Sequence, residues 1–180
     1  MKPMKTSKLS VLVLVGTAAL LLLAALAPIA EAGSLKAQVY LVQATIPRTL
    51  SEKALIGFAR KNNNRILREA TDADVKARKW NATMVVAFNA PVNDLEFTVL
   101  FYDIHDGPRR FVNDMATFVD DKKQKTFVQK ITLPRPAFKP NRNMELVVTV
   151  RRQEVGRVKF GVTGQEIKRS GTVEFGDSER

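Results

Sequence analysis

Met144-Glu145-Leu146-Val147-Val148-Thr149-Val150 is followed after a short polar stretch by Arg157-Val158-Lys159-Phe160-Gly161-Val162. In both runs apolar residues recur at alternate positions, which is the period-two pattern of a strand with one buried face. Between them, Glu154-Val155-Gly156 predicts a tight turn, since glycine supplies the conformations that turns need. The two runs therefore predict an antiparallel β-hairpin.

The same kind of pattern recurs along most of the chain upstream of this hairpin. From Trp80 onward, apolar strands alternate with turn signals such as Ala90-Pro91 and Asp106-Gly107. Short strands at intervals of about 8–12 residues are typical of a two-sheet β-sandwich. The other predicted strands cover residues 36–45, 83–88, 95–101, 110–119, 126–133 and 172–175.

The stretch from Phe138 to Val162 also resembles the final hairpin of bacterial immunoglobulin-like domains. In that hairpin, prolines and a polar turn lead into an E-L-V-V-T-V strand, and a glycine turn leads on into R-V-K-F-G-V. The resemblance covers about a sixth of the chain. It implies an immunoglobulin-like sandwich, and it carries over no functional residue. The predicted fold is therefore mainly β, an immunoglobulin-like two-sheet sandwich.

A short helical insert is predicted after the first strand, at about residues 49–79. Thr49 and Glu52 have the spacing of a capping box, in which each side chain bonds the other residue's backbone N–H. Apolar residues from Leu50 to Ala59 then recur at helical spacing. A second short helix is predicted over 71–79, with Thr71 as its cap.

The N-terminus has the three parts of a secretory signal peptide. Lys2, Lys5 and Lys8 precede an apolar run over 11–27, and Ala30-Glu31-Ala32 follows it. We predict cleavage after Ala32, which leaves residues 33–180 as one domain. The alternative is an uncleaved anchor helix, because the apolar run approaches the ~20 residues that span a bilayer. We expect the protein in the periplasm or outside the cell.

Cysteine usage and charge limit the chemistry. The chain has no cysteine, which excludes disulfides, thiolate metal sites and a lipid-modified cysteine. Removing residues 1–32 takes away three lysines and one glutamate, which leaves 26 basic and 17 acidic residues, or +9. This excess favours anionic partners such as lipopolysaccharide or acidic glycan. The alternative is that the charge only keeps the domain soluble.

The basic residues of the first part of the chain are the candidate contacts for such a ligand. Trp80 follows one of their clusters directly, but a lone tryptophan at the start of a strand is expected in the core. The candidate anionic-ligand contacts are Arg60, Lys61, Arg65, Arg68, Lys76, Arg78, Lys79, Arg109 and Arg110.

Groups suited to catalysis are few. His105 is the single histidine, and with Asp103 and Asp106 it could bind a cation or form an acid–base pair. Asp106-Gly107 is also a turn signal, so we expect these residues to shape a loop. Asp120-Asp121 precedes Lys122-Lys123, which is typical of a solvated turn. The sequence lacks a glycine-rich phosphate loop and a G-x-S-x-G motif, and we predict no cofactor and no catalytic or metal site.

Two functions of different classes remain, and an enzyme is a distant third. The first is a non-catalytic binding or assembly module of the bacterial cell envelope with a protein partner. The second is a receptor for an anionic envelope polymer through the basic clusters; nucleic acid is not expected. Basic clusters that converge on one face would favour the receptor, whereas dispersed charge and a bare apolar edge strand would favour the module.

Overall fold

The computed structural model describes residues 34–167, which form two β-sheets and one helix. All strand pairs of these sheets are antiparallel except one. The predicted signal peptide and the last predicted strand lie outside the described residues. In chain order the elements are β1 (Ala37–Val42), α1 (Glu52–Lys61), β2 (Ile66–Arg68), β3 (Lys79–Phe88), β4 (Glu96–Asp103), β5 (Arg110–Phe118), β6 (Thr126–Pro134), β7 (Arg142–Val150) and β8 (Gln153–Thr163).

The strand order identifies the type of sandwich. One sheet has the order β1-β3-β6 and the other β2-β8-β7-β4-β5. With β1, β3 and β6 as strands A, B and E, and β4, β7 and β8 as C, F and G, this is the pairing of an immunoglobulin-like sandwich. β5 extends the second sheet next to β4, and the short β2 pairs in parallel with β8. The predicted immunoglobulin-like fold class is confirmed.

The final hairpin is present, but its turn lies earlier than the sequence indicated. β7 and β8 pair from Val150 opposite Gln153, so Arg151 and Arg152 form the turn. Both arginines have positive φ, 51° and 65°, as a two-residue hairpin turn of the primed type requires. Gly156 instead lies inside β8, where a Cβ atom would collide with the Ala37 carbonyl of β1. This glycine permits close packing of two strands.

The core fills the space between the two sheets, because alternate residues of each strand point inward. Phe88, Phe97 and Phe127 form an edge-to-face triangle across this space, with ring centroids 5.1–5.7 Å apart. Trp80 is fully buried, as expected, and its indole N–H donates to the Thr163 carbonyl at 2.9 Å.

The helical segment is shorter than the predicted insert of 49–79. Its N-cap is Ser51, whose hydroxyl accepts from the Ala54 N–H, and not Thr49. The helix ends at Lys61, and Ile66–Arg68 forms a strand because its backbone finds β8 as a partner. Residues 71–78 form turns, in which Asp74 accepts from the Lys76 N–H, and Lys79 already belongs to β3.

α1 covers part of the outer face of the three-stranded sheet. Its buried Ala59 packs with Val42 of β1 and Val85 of β3, and Tyr40 and Phe58 enclose this small second core. The remaining face of the helix is exposed and ends in Arg60 and Lys61.

Candidate functional site

The structure divides the nine predicted anionic-ligand contacts among separate places. Lys76 lies in the loop before β3 and is exposed. The others are at the end of α1, just before and in β2, just before and at the start of β3, and at the end of the β4–β5 turn and the start of β5. β2 and β5 are opposite edges of the five-stranded sheet, four strand spacings or roughly 19 Å apart. The predicted contacts therefore do not all converge on one face.

Five of these cations nevertheless lie on segments that hydrogen bonds connect to one another, at the end of α1, just before and in β2, and at the start of β3. We define the basic edge as Arg60, Lys61, Arg65, Arg68 and Lys79, all of them exposed. None of the five forms a salt bridge within the described residues. The sequence from residue 53 to 68 contains no acidic side chain. Within residues 34–167, the cations of the basic edge therefore have no acidic side chain within salt-bridge distance.

Asparagine and glutamine side chains hold the basic edge together. Asn63 and Asn64 accept the backbone N–H groups of Leu41 and Gln43, each at 2.9 Å. The Gln43 amide donates to the carbonyls of Arg68 and Asn81 at 2.9 and 3.0 Å. The backbone N–H of residue 70 donates to the Lys79 carbonyl at 2.9 Å, which brings the start of β3 to the same edge.

Arg78 is a predicted contact that serves the structure instead. Its guanidinium lies 3.8 Å from the Glu69 carboxylate and donates to the Gln165 side chain at 3.0 Å. Arg135 pairs with the same carboxylate at 2.5 Å and stacks 5.5 Å from the centre of the Trp80 ring. The side chains of Glu69 and Arg135 are both buried, so this cluster closes the end of the core where β3 begins and β6 ends.

Arg109 and Arg110 also have acidic partners. Arg110 lies 3.7 Å from Asp106, and Arg109 contacts the carboxylate of Glu145 at 2.5 Å. Asp106 accepts a hydrogen bond from Arg142 at 2.6 Å, and this bond is the main reason that the pKa of Asp106 lies below its ordinary value. These two arginines therefore fasten the β4–β5 turn to the sheet.

Glu145 is the buried centre of a charged ring on the outer face of the five-stranded sheet. Its side chain is 1% exposed, and its Oε1 atom has no hydrogen-bond partner among the described residues. Arg109 and Arg157 each approach both Glu145 and Glu154, and Arg109 also lies 5.6 Å from the centre of the Tyr102 ring. The ring is neutral and closed, so it offers no net attraction to an ion.

β5 is an exposed edge that the sequence did not single out as a site. It pairs with β4 only, and its outer face carries Phe111 and Phe118, which are 56% and 72% exposed. A bulge places Val112 outside the pairing register, so the regular edge runs over residues 113–118. The position of 110–119 between two turn signals predicted a strand, but no local signal says that a strand has a single neighbour.

The residues considered for acid–base or metal chemistry form turns. The Asp103 carboxylate accepts the backbone N–H of His105 at 2.9 Å, and Asp121 accepts that of Lys123 at 2.9 Å. Within residues 34–167, no three His, Asp or Glu side chains are close enough to hold a metal ion.

Two open cavities lie at the end of the sandwich where the described chain ends. One, of about 550 Å³, is lined by Asp74, Val75, Lys76 and residues 165–167. The other, of about 400 Å³, is lined by His105, Arg135, Arg142, Glu166 and Ile167 among others. Gln165, which lines the first cavity, is held by its backbone N–H, which donates to Glu69, and by its carbonyl, which accepts from Arg135.

Comparison with known proteins gives a similarity of fold only. No family model matches the chain. No curated protein matches it either. Among solved structures, the chain is similar to an immunoglobulin-like protein from Pseudomonas aeruginosa, at 12% identity and a TM-score of 0.39, over 72% of this chain and 96% of the other. No helix of residues 34–167 has the length and apolar character to cross a membrane.

Proposed function

We propose that this protein is a non-catalytic binding module of the bacterial cell envelope, and that β5 accepts an extended segment of a partner protein. The observation that carries the proposal is the exposed β5 edge with Phe111 and Phe118 on its outer face. Along such an edge, alternate backbone N–H and C=O groups face away from the sheet, where an added strand can pair with them.

β5 is better suited to this role than the other three edge strands. β2 has three residues and β1 has six, so each offers a short ladder. β6 has nine residues but carries Lys130 on its outer surface and ends in Pro134. Lysine and proline are typical devices against strand addition. β5 has neither, and its regular part is long enough for a strand of ordinary length.

The charge of β5 specifies the kind of segment that would pair there. Arg110 and Asp114 are its only charged residues, so the strand is neutral in a protein of strong positive charge. Phe111 and Phe118 present apolar surface for the alternate side chains of an incoming strand. The expected partner is a neutral, apolar, extended segment of another envelope protein.

Ala116→Lys tests the proposal, because Ala116 is exposed in the middle of the regular edge. A lysine there should block strand addition while leaving stability within about 0.5 kcal/mol, as is usual for surface changes. A photo-crosslinking amino acid at position 118 would capture the partner in cells, and mass spectrometry would identify the crosslinked peptide. We expect capture to be lost in the Ala116→Lys variant.

Val128→Lys is the control, since Val128 is an exposed apolar residue on β6, an edge strand of the other sheet that has no part in the proposed strand addition. It should leave capture unchanged. Capture that persists in Ala116→Lys, or that disappears equally in Val128→Lys, would refute strand addition at β5. A crosslinked peptide from this same chain would replace the envelope partner by a second copy.

A further inference from the structure

We infer that the basic edge docks on an anionic phospholipid surface. It is a second interaction surface, separate from β5, and the inference does not depend on the strand-accepting role. The five cations of the basic edge are exposed and form no salt bridge within the described residues. Each Lys or Arg close to an anionic bilayer favours binding by about fivefold.

The cations of the basic edge are spread over several segments. They lie at the end of α1, just before and in β2, and at the start of β3. The two cavities described above are lined by other residues. A bilayer presents many separate headgroup charges, which suits cations that are distributed over several segments.

Ile66 provides an apolar contact that a bilayer can accept and a purely polar polyanion cannot. It is 57% exposed and lies between Arg65 and Arg68 on β2. An apolar side chain among cations can enter the boundary between headgroups and acyl chains. Single-stranded nucleic acid and sugars favour aromatic platforms, and Trp80, which follows Lys79, is buried in the core and cannot serve as one.

The position of the basic edge leaves β5 free. β2 and β5 are the two outermost strands of the five-stranded sheet. A domain that lies on the membrane through β2 and the end of α1 therefore presents β5 on its far side. Docking on lipid and strand addition are compatible in one molecule.

Vesicle flotation of the protein, purified in the form that cells accumulate, tests this inference. The vesicles are neutral phosphatidylcholine with or without phosphatidylglycerol, at low salt and at 1 M salt, where charges are screened beyond about 3 Å. We expect binding to the anionic vesicles at low salt only. Changing Arg60, Lys61, Arg65 and Arg68 to serine should weaken that binding more than a hundredfold.

A control variant removes the same charge elsewhere: Lys122, Lys123, Lys125 and Lys130 are exposed, and none has a salt bridge within the described residues. All variants share one N-terminal segment, so differences in anionic binding report the substituted side chains, and circular dichroism checks that each is folded.

Retention of binding by the control variant and loss of binding by the basic-edge variant would support docking. Equal loss in both, or no preference for anionic vesicles, would overturn it. Binding to immobilised lipopolysaccharide or acidic glycan without binding to vesicles would replace the bilayer with an envelope polymer.

Discussion

Glu69 stabilises the end of the core where β3 begins and β6 ends. Arg135 and Arg78 both approach its carboxylate, and its side chain is buried. Removing one partner of a buried pair leaves the other charge uncompensated, which typically costs about 3–5 kcal/mol. We predict that Glu69→Ala lowers the free energy of unfolding by about 3 kcal/mol in urea denaturation. Asp94→Ala breaks an exposed pair with Arg151 and should cost clearly less than Glu69→Ala; equal losses would contradict the prediction.

Asp106 provides a test of pH dependence. The hydrogen bond from Arg142 holds the pKa of this carboxyl below its ordinary value of 3.8 in the folded protein. A lowered pKa in the folded state means that the stabilisation is complete above the unfolded value and is lost as pH falls through the folded value. We predict that the difference in melting temperature between the wild type and Asp106→Asn shrinks as pH falls from about 6 to about 3. A constant difference would show that Asp106 does not stabilise the fold through its charge.

At the scale of elements, two glycines should respond to the same substitution in opposite directions. Gly156 of β8 lies against the backbone of Ala37 in β1, so Gly156→Ala must push the strands apart and should cost about 1–3 kcal/mol. Gly57 is exposed in α1 and has open space around it, so Gly57→Ala should stabilise by about 0.5–1 kcal/mol. Thermal unfolding of the two variants measures both effects. If Gly156→Ala did not destabilise the protein, β1 would not pack closely on β8.

The turn between β7 and β8 contains an unusual pair of residues. Arg151 and Arg152 both adopt left-handed backbone conformations, which cost roughly 1–2 kcal/mol for a residue with a side chain. Arg151 is held by Asp94, but Arg152 is exposed and forms no salt bridge within the described residues. We predict that Arg152→Gly raises the free energy of unfolding by about 1 kcal/mol. Gln153→Gly, one residue later in β8, should lower it by about 0.5–1 kcal/mol.

At the scale of the whole molecule, export is a prediction about the chain's N-terminus. The motif Ala30-Glu31-Ala32 after the apolar run predicts a mature protein that begins at Gly33. N-terminal sequencing of the protein from the envelope fraction measures this directly. Material that begins at Met1 would indicate an N-terminal anchor, which is the alternative interpretation of the same residues.

The alternation of apolar residues was enough to predict the sandwich and the final hairpin, and the position of a lone tryptophan at the start of a strand was enough to predict the burial of Trp80. The alternation did not place the hairpin turn, because two arginines occupy a turn in which asparagine or glycine is usual. Thr71 as a helix cap predicted a helix over 71–79, but residues 71–78 form turns, in which Asp74 accepts the Lys76 N–H. Local patterns report burial and propensity, and the turns depend on how the two strands meet.

The amino-acid sequence by itself determined the β-rich class, the excess positive charge and, through the period-two pattern, the inward-facing residues of the regular strands. Only the tertiary structure decided that β5 is an edge, that hydrogen bonds connect the segments of the basic edge, and that Arg78 and Arg109 have acidic partners. The physical reason is the distance along the sequence over which each feature is set. The alternation of burial in a strand depends on residues two positions apart. Glu69 and Arg135 are 66 positions apart, and only the pairing of strands brings them together.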